Sequence, residues 1–64
     1  MITVASISPL QVIKLFPSWD EMLAYRNKNI DYFISASSFL TVEEAERFAN
    51  EMRDMTPEWS LELL

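Results

Sequence analysis

The stretch from Asn29 to Phe48 contains a strand, a helix start and the joint between them, and it constrains where the rest of the chain can go. Ile30, Tyr32, Ile34 and Ala36 alternate with Asp31, Phe33, Ser35 and Ser37, the period-two pattern of a half-buried strand. Thr41-x-x-Glu44 then reads as a capping box, in which the Thr41 hydroxyl accepts from the Glu44 N–H and the Glu44 carboxylate reaches back to the N–H of Thr41. From Val42 to about Met55 a helix is predicted, because Ala45, Phe48, Ala49, Met52 and Met55 recur at spacings of three and four and form one apolar stripe. Thr56-Pro57 stops it, since proline cannot continue a helix.

The flanking segments repeat this logic. Ile2 to Ile7 is uncharged and largely β-branched, a first strand interrupted at Ser8-Pro9, where proline has no N–H for a ladder bond. Gln11 to Phe16 is a second strand candidate. The two form either a hairpin, the preferred reading, or one strand bent at Pro9. The chain has no glycine, so a two-residue hairpin turn built on glycine is unavailable. Ser18-x-x-Glu21 is a second capping box, opening a helix from Trp19 to about Arg26 with Trp19, Met22, Leu23 and the Arg26 stem on one face. Asn27-Lys28-Asn29 ends it, with asparagine standing in for glycine in a left-handed cap. Trp59, Leu61 and Leu63 alternate with Ser60 and Glu62 as a last short strand.

An echo joins the two halves. Phe16 to Tyr25 aligns with Phe39 to Phe48, both reading Phe-x-[Ser/Thr]-x-acid-Glu-apolar-x-x-aromatic. Two strand-to-helix joints that solve the same capping problem are the preferred explanation, with internal duplication the alternative. The segment from Phe16 to Asn29 is long enough for a right-handed crossover between parallel strands. The expected fold is one domain over residues 1–64, α+β or small α/β. It is a two-layer sandwich with two helices on one face of a three- or four-stranded sheet, in the order β(β)αβαβ.

Composition excludes more chemistry than it suggests. With 64 residues and no cysteine, the chain has no disulfide or thiolate metal site to staple it, and a domain this small buries only roughly 60% of its unfolded surface. There is no histidine, so the common zinc sets and histidine-based triads cannot be built. Without glycine, phosphate loops and dinucleotide fingerprints are also out of reach. Asp20, Glu21, Glu43 and Glu44 fall in first helical turns, where capping and the helix dipole explain them without catalysis. The expectation is a non-enzyme with no catalytic residues, no metal and no cofactor. The four methionines include Met22, Met52 and Met55 on apolar helix faces, which fits core filling.

Charge and surface point to a protein partner. Residues 1–32 balance Asp20, Glu21 and Asp31 against Lys14, Arg26 and Lys28, so the net charge of −5 lies wholly in residues 33–64. An acidic chain repels phosphate backbones, and no basic cluster accompanies Tyr32 and Phe33 to make an RNA-stacking sheet. Glu43, Glu46, Glu51 and Asp54 could imitate a row of phosphates, giving a nucleic-acid-mimic inhibitor of a DNA-binding protein. Glu43–Arg47 and Arg47–Glu51 pairs at i,i+4 would instead make this an ordinary solvated face.

If Ile30, Tyr32 and Ile34 face the helices, Phe33 faces away. Ile13 and Leu15 pointing inward send Val12, Lys14 and Phe16 to the same uncovered side. Val12, Lys14, Phe33 and Trp59 are therefore the candidate protein-binding residues, with the N-terminal segment or Trp59 alternatively covering Phe33. The expected function is a small acidic regulatory module that docks on another protein, with homodimerisation included and no direct nucleic-acid or membrane binding. A small structural subunit of a larger complex would read the same way. No apolar run nears the ~18 residues of a membrane span, and no basic leader precedes the first strand. A cytoplasmic location is expected, or the host cytoplasm for a protein encoded by a virus or mobile element.

Overall fold

A computed structural model describes all residues from Met1 to Leu64. The chain forms β1 (Ile2–Ser8), β2 (Val12–Phe16), α1 (Trp19–Lys28), β3 (Phe33–Phe39), α2 (Val42–Met55) and β4 (Ser60–Glu62). This is the α+β fold and the element order ββαβαβ that the pattern predicts, with a mixed sheet of four strands in the order β3-β1-β2-β4. The hairpin reading of residues 2–16 holds: β1 and β2 pair antiparallel from Thr3↔Phe16 to Ile7↔Val12. The turn is made without glycine. Gln11 takes φ 59 and the Ser8-Pro9 peptide is cis, so a non-glycine residue occupies the left-handed region.

The layering differs from the expectation: the helices lie on opposite faces of the sheet. One core cluster joins Val4, Ile13 and Leu15 to Ala45 and Ala49 of α2. The other joins Ala5, Ile7 and Phe16 to Met22 of α1. Val4 and Ala5 are neighbours on one strand, as are Leu15 and Phe16, so they point to opposite faces. Topology gives the reason. β2 and β3 are each antiparallel to β1 between them, and β2 is parallel to β4, so β2, β3 and β4 run the same way. The α1 crossover carries the chain over β1 to β3, and the α2 crossover carries it back across the sheet to β4. Two crossovers of the same hand moving in opposite directions must use opposite faces. β1 is consequently covered on both sides, and Thr3, Val4, Ala5 and Ile7 are all buried.

The helix starts follow the sequence closely. Ser18 Oγ accepts from the Glu21 N–H at 3.2 Å, and Thr41 Oγ1 accepts from the Glu44 N–H at 3.1 Å. The Glu44 carboxylate receives the Thr41 hydroxyl at 3.2 Å, in place of the Thr41 N–H. The end of α1 differs from the expected left-handed cap, because Asn29 has φ −128. Its side-chain amide donates to the Tyr25 carbonyl at 2.8 Å and its N–H to the Arg26 carbonyl at 3.1 Å, so hydrogen bonds satisfy the helix end without a positive φ.

Three apolar residues expected to face the core fall outside it. Ile30 precedes β3 in the turn and is 80% exposed, Met55 closes α2 at 78%, and Trp19 is also exposed. Tyr25 takes the place of Trp19 on α1, packing its ring 5.5 Å from that of Phe16. Leu63 lies beyond β4 and is exposed, whereas Trp59 and Leu61 pack against the α2 cluster.

Candidate functional site

The four residues expected to share a binding surface do not come together. Residues paired across strands share a face, so Val12 and Lys14 lie on the α1 face with Ile7 and Ala5. Phe33 pairs with Ser8 and lies on the α2 face. Trp59 packs beneath α2 at the far, β4 edge. No face of the sheet is left uncovered, since each carries a helix. Lys14 is engaged within the fold: its Nζ lies 3.5 Å from Glu62 Oε2 and 5.4 Å from the Phe16 ring centre. That contact ties β4 to β2 beside the backbone pair Lys14↔Glu62.

What remains is a corner. α2 starts at the end of β3 and crosses toward β4, so it leaves the beginning of β3 bare on its own side. Phe33 stands there 77% exposed. Its neighbours on that face are small: Ser8 and Ser6 on β1, Ser35 and Ser37 on β3. Ser6 Oγ donates to the Ser35 carbonyl at 3.4 Å, a weak contact at this distance. β3 is also an edge strand with no neighbour beyond it. Its sequence, Phe-Ile-Ser-Ala-Ser-Ser-Phe, contains no charge and no proline, the usual guards of an exposed edge. At its other end Phe39 packs on Phe48 of α2, ring centres 4.9 Å apart.

Two other places could carry chemistry. A shallow, open depression of ≈ 440 Å³ lies between α1 and the C-terminal residues, lined by Lys14, Phe16, Tyr25, Lys28, Leu63 and Leu64 among others. Burial raises the pKa of the Tyr25 phenol above its ordinary value, reinforced by Tyr32 and by the negative charge of Glu62. The outer side of α2 carries Glu43, Glu46, Glu51 and Asp54. The expected Glu43–Arg47 and Arg47–Glu51 ion pairs are not made, and Lys14–Glu62 is the molecule's one salt bridge. No three acidic groups converge as a metal site would require.

Ser35, Ser37 and Phe39 were not singled out by sequence reasoning, although the signal is visible. It is an uncharged run of short side chains bracketed by two phenylalanines. Recognising it as an edge requires knowing that β1, not β2, lies beside β3. Comparison with known proteins adds nothing further: no protein family, curated protein or solved structure matches the chain. No helix is long and apolar enough to cross a membrane.

Proposed function

We propose that the chain is a non-enzymatic protein-binding module whose docking surface is the β3 edge with Phe33. One observation carries the reading: a largely exposed phenylalanine opens a seven-residue uncharged edge strand that has no neighbour on its outer side. Edge strands of this kind accept another strand through backbone hydrogen bonds, while alternate side chains supply specificity. Burying a phenylalanine contributes about 1.5–3 kcal/mol, enough to make Phe33 the anchor of such a contact. Val12, Lys14 and Trp59 have no part in it.

Imitation of nucleic acid by α2 is the weaker reading. Arg47 lies four residues from both Glu43 and Glu51, so a cation interrupts the acidic row. Salt separates the two. An edge contact anchored by an apolar ring keeps its affinity from low to moderate salt, whereas a charge mimic loses most of it. The direct test compares wild type, Phe33→Asp and Glu51→Gln/Asp54→Asn as affinity baits in the source cell, with circular dichroism on each. The expected result is a partner held by wild type and the α2 variant and lost by folded Phe33→Asp. A partner lost only by the α2 variant would overturn the reading.

A further inference from the structure

The β3 edge has an internal symmetry that selects one partner. Outward from Ala36 the strand reads Ser35 and Ser37, then Ile34 and Ser38, then Phe33 and Phe39. Apart from Ile34 opposite Ser38, it is the same in both directions. An antiparallel strand presents its sequence reversed, so such a segment is complementary to itself.

We infer that the partner is a second copy of this chain, joined edge to edge through antiparallel β3 strands with Ala36 opposite Ala36. The inference rests on the docking role of β3 and names its occupant. In this register the residues of each face stay together, and the two-fold axis, perpendicular to the joined sheet, keeps both α2 helices on the same side. On that side Phe33 of each copy falls opposite Phe39 of the other and extends its Phe39–Phe48 pair into a three-ring cluster. Directly opposite residues in an antiparallel pair have Cβ atoms about 4.5–5.5 Å apart, close enough for aromatic contact. Ser35 meets Ser37 between the two clusters, and neither side chain is long enough to hold the strands apart. On the other side Ala36 meets itself and Ile34 meets Ser38.

Charge does not block this contact. The net charge of −5 sets two copies against each other at a distance, but β3 contributes none of it. Salt screens the long-range repulsion and leaves the apolar and backbone contacts intact. Self-association therefore strengthens as salt rises, the opposite of a charge-driven complex.

The absence of cysteine makes the register directly measurable. Cα atoms of opposed antiparallel residues lie about 4.5–5.5 Å apart, within the 4.4–6.8 Å that a disulfide spans. Under mild oxidation Ala36→Cys should cross-link to itself faster than a control thiol at exposed Asn50→Cys. Ile34→Cys and Ser38→Cys should cross-link when mixed far faster than either does alone. Sedimentation should show a wild-type dimer, and Phe33→Asp should give a folded monomer, with association weakened about tenfold or more.

The charged variants Ser35→Glu/Ser37→Glu and Ser35→Lys/Ser37→Lys change only exposed positions, so they protect the test if a cysteine variant fails to fold. Each should be monomeric alone, and the two should pair when mixed. Wild type that stays monomeric to millimolar concentration, or cross-linking at Ala36→Cys no faster than the control, overturns the self-pairing. If Phe33→Asp still loses a foreign partner, docking at β3 stands without it. If Phe33→Asp loses nothing, the docking reading fails as well.

Discussion

The two faces of the sheet are built differently. On the α2 face a helix of fourteen residues contacts all four strands. Its buried residues are Ala45 and Ala49, whose lack of bulk lets the helix backbone settle close to Val4, Ile13 and Leu15. The large groups, Phe39, Phe48, Met52 and Trp59, pack around that centre. On the α1 face a helix of ten residues reaches β1 and β2 and leaves more open. It covers Ala5, Ile7 and Phe16 with Met22, but the same face holds the Lys14–Glu62 pair, the open depression and an unsatisfied polar atom. Thr3 is fully buried and its Oγ1 has no hydrogen-bond partner. The comparison locates the main stabilisation under α2, and the polar and adaptable groups under α1.

The strongest challenge to that division removes one buried side chain from each face. Leu15→Ala should destabilise by about 2–5 kcal/mol, because the cavity opens at the centre of a closely packed layer. Met22→Ala should fall in the lower half of that range, since the looser α1 face can collapse around the gap. Equal shifts in denaturation midpoints would mean that the faces are packed alike.

Thr3 sharpens the contrast from the other side. An unsatisfied buried hydroxyl costs about 1–3 kcal/mol, so Thr3→Val, which keeps the shape, should raise stability by up to that amount. A loss measured by urea unfolding would show that the hydroxyl has a partner. The caps come next: Thr41→Ala and Ser18→Ala should each cost about 0.5–2 kcal/mol. Thr41→Ala should be the larger because it holds the helix that covers all four strands. A reversed order by thermal melting would move the weight of the fold to α1.

The smallest effect depends on pH. The Tyr25 phenol has a raised pKa in the folded protein, so its contribution to stability is complete below the ordinary tyrosine pKa near 10. It is lost as pH rises through the folded value. Wild type should weaken in alkali more than Tyr25→Phe does, as read from unfolding midpoints on both sides of pH 10. Parallel curves would show that burial under α1 does not act on this group.

Much of this was legible in the chain because local chemistry fixed it. The bounds of α2 follow from Thr41, the apolar stripe and Pro57. The start of α1 follows from Ser18 and Glu21. The inward phase of Tyr32, Ile34 and Ala36 was visible too, and these residues do pack against the α1 cluster. The misplacements share one cause: they depend on which elements become neighbours. Alternation in β3 shows that Phe33 and Ile34 point apart, but it cannot say that β1 lies beside them or that a helix covers each side. Ile30 carried the strand pattern past the point where the Asn29–Tyr32 turn begins, with the Tyr32 N–H donating to the Asn29 carbonyl at 2.9 Å. Val12 and Phe33 can share a surface only if one face of the sheet is bare, and opposed crossovers leave none.

The central position of β1 has a consequence for synthesis on the ribosome. Its two neighbours, β2 and β3, both follow it in the chain, and its last pairing partner is Phe39, opposite Ile2. At about 5–20 residues per second, β1 waits roughly 2–6 s after it is made before the strand that closes its second edge exists. During that interval β1 and β2 have each other and α1, whose Met22 packs on Ala5, Ile7 and Phe16. A two-stranded hairpin alone is marginally stable at best in water, so until β3 emerges the nascent hairpin depends on α1 for support while the outer edge of β1 stays unpaired. Pauses between Phe16 and Phe39 prolong the exposure of the outer edge of β1, and pauses between Phe39 and Ala49 prolong the exposure of its Val4 face.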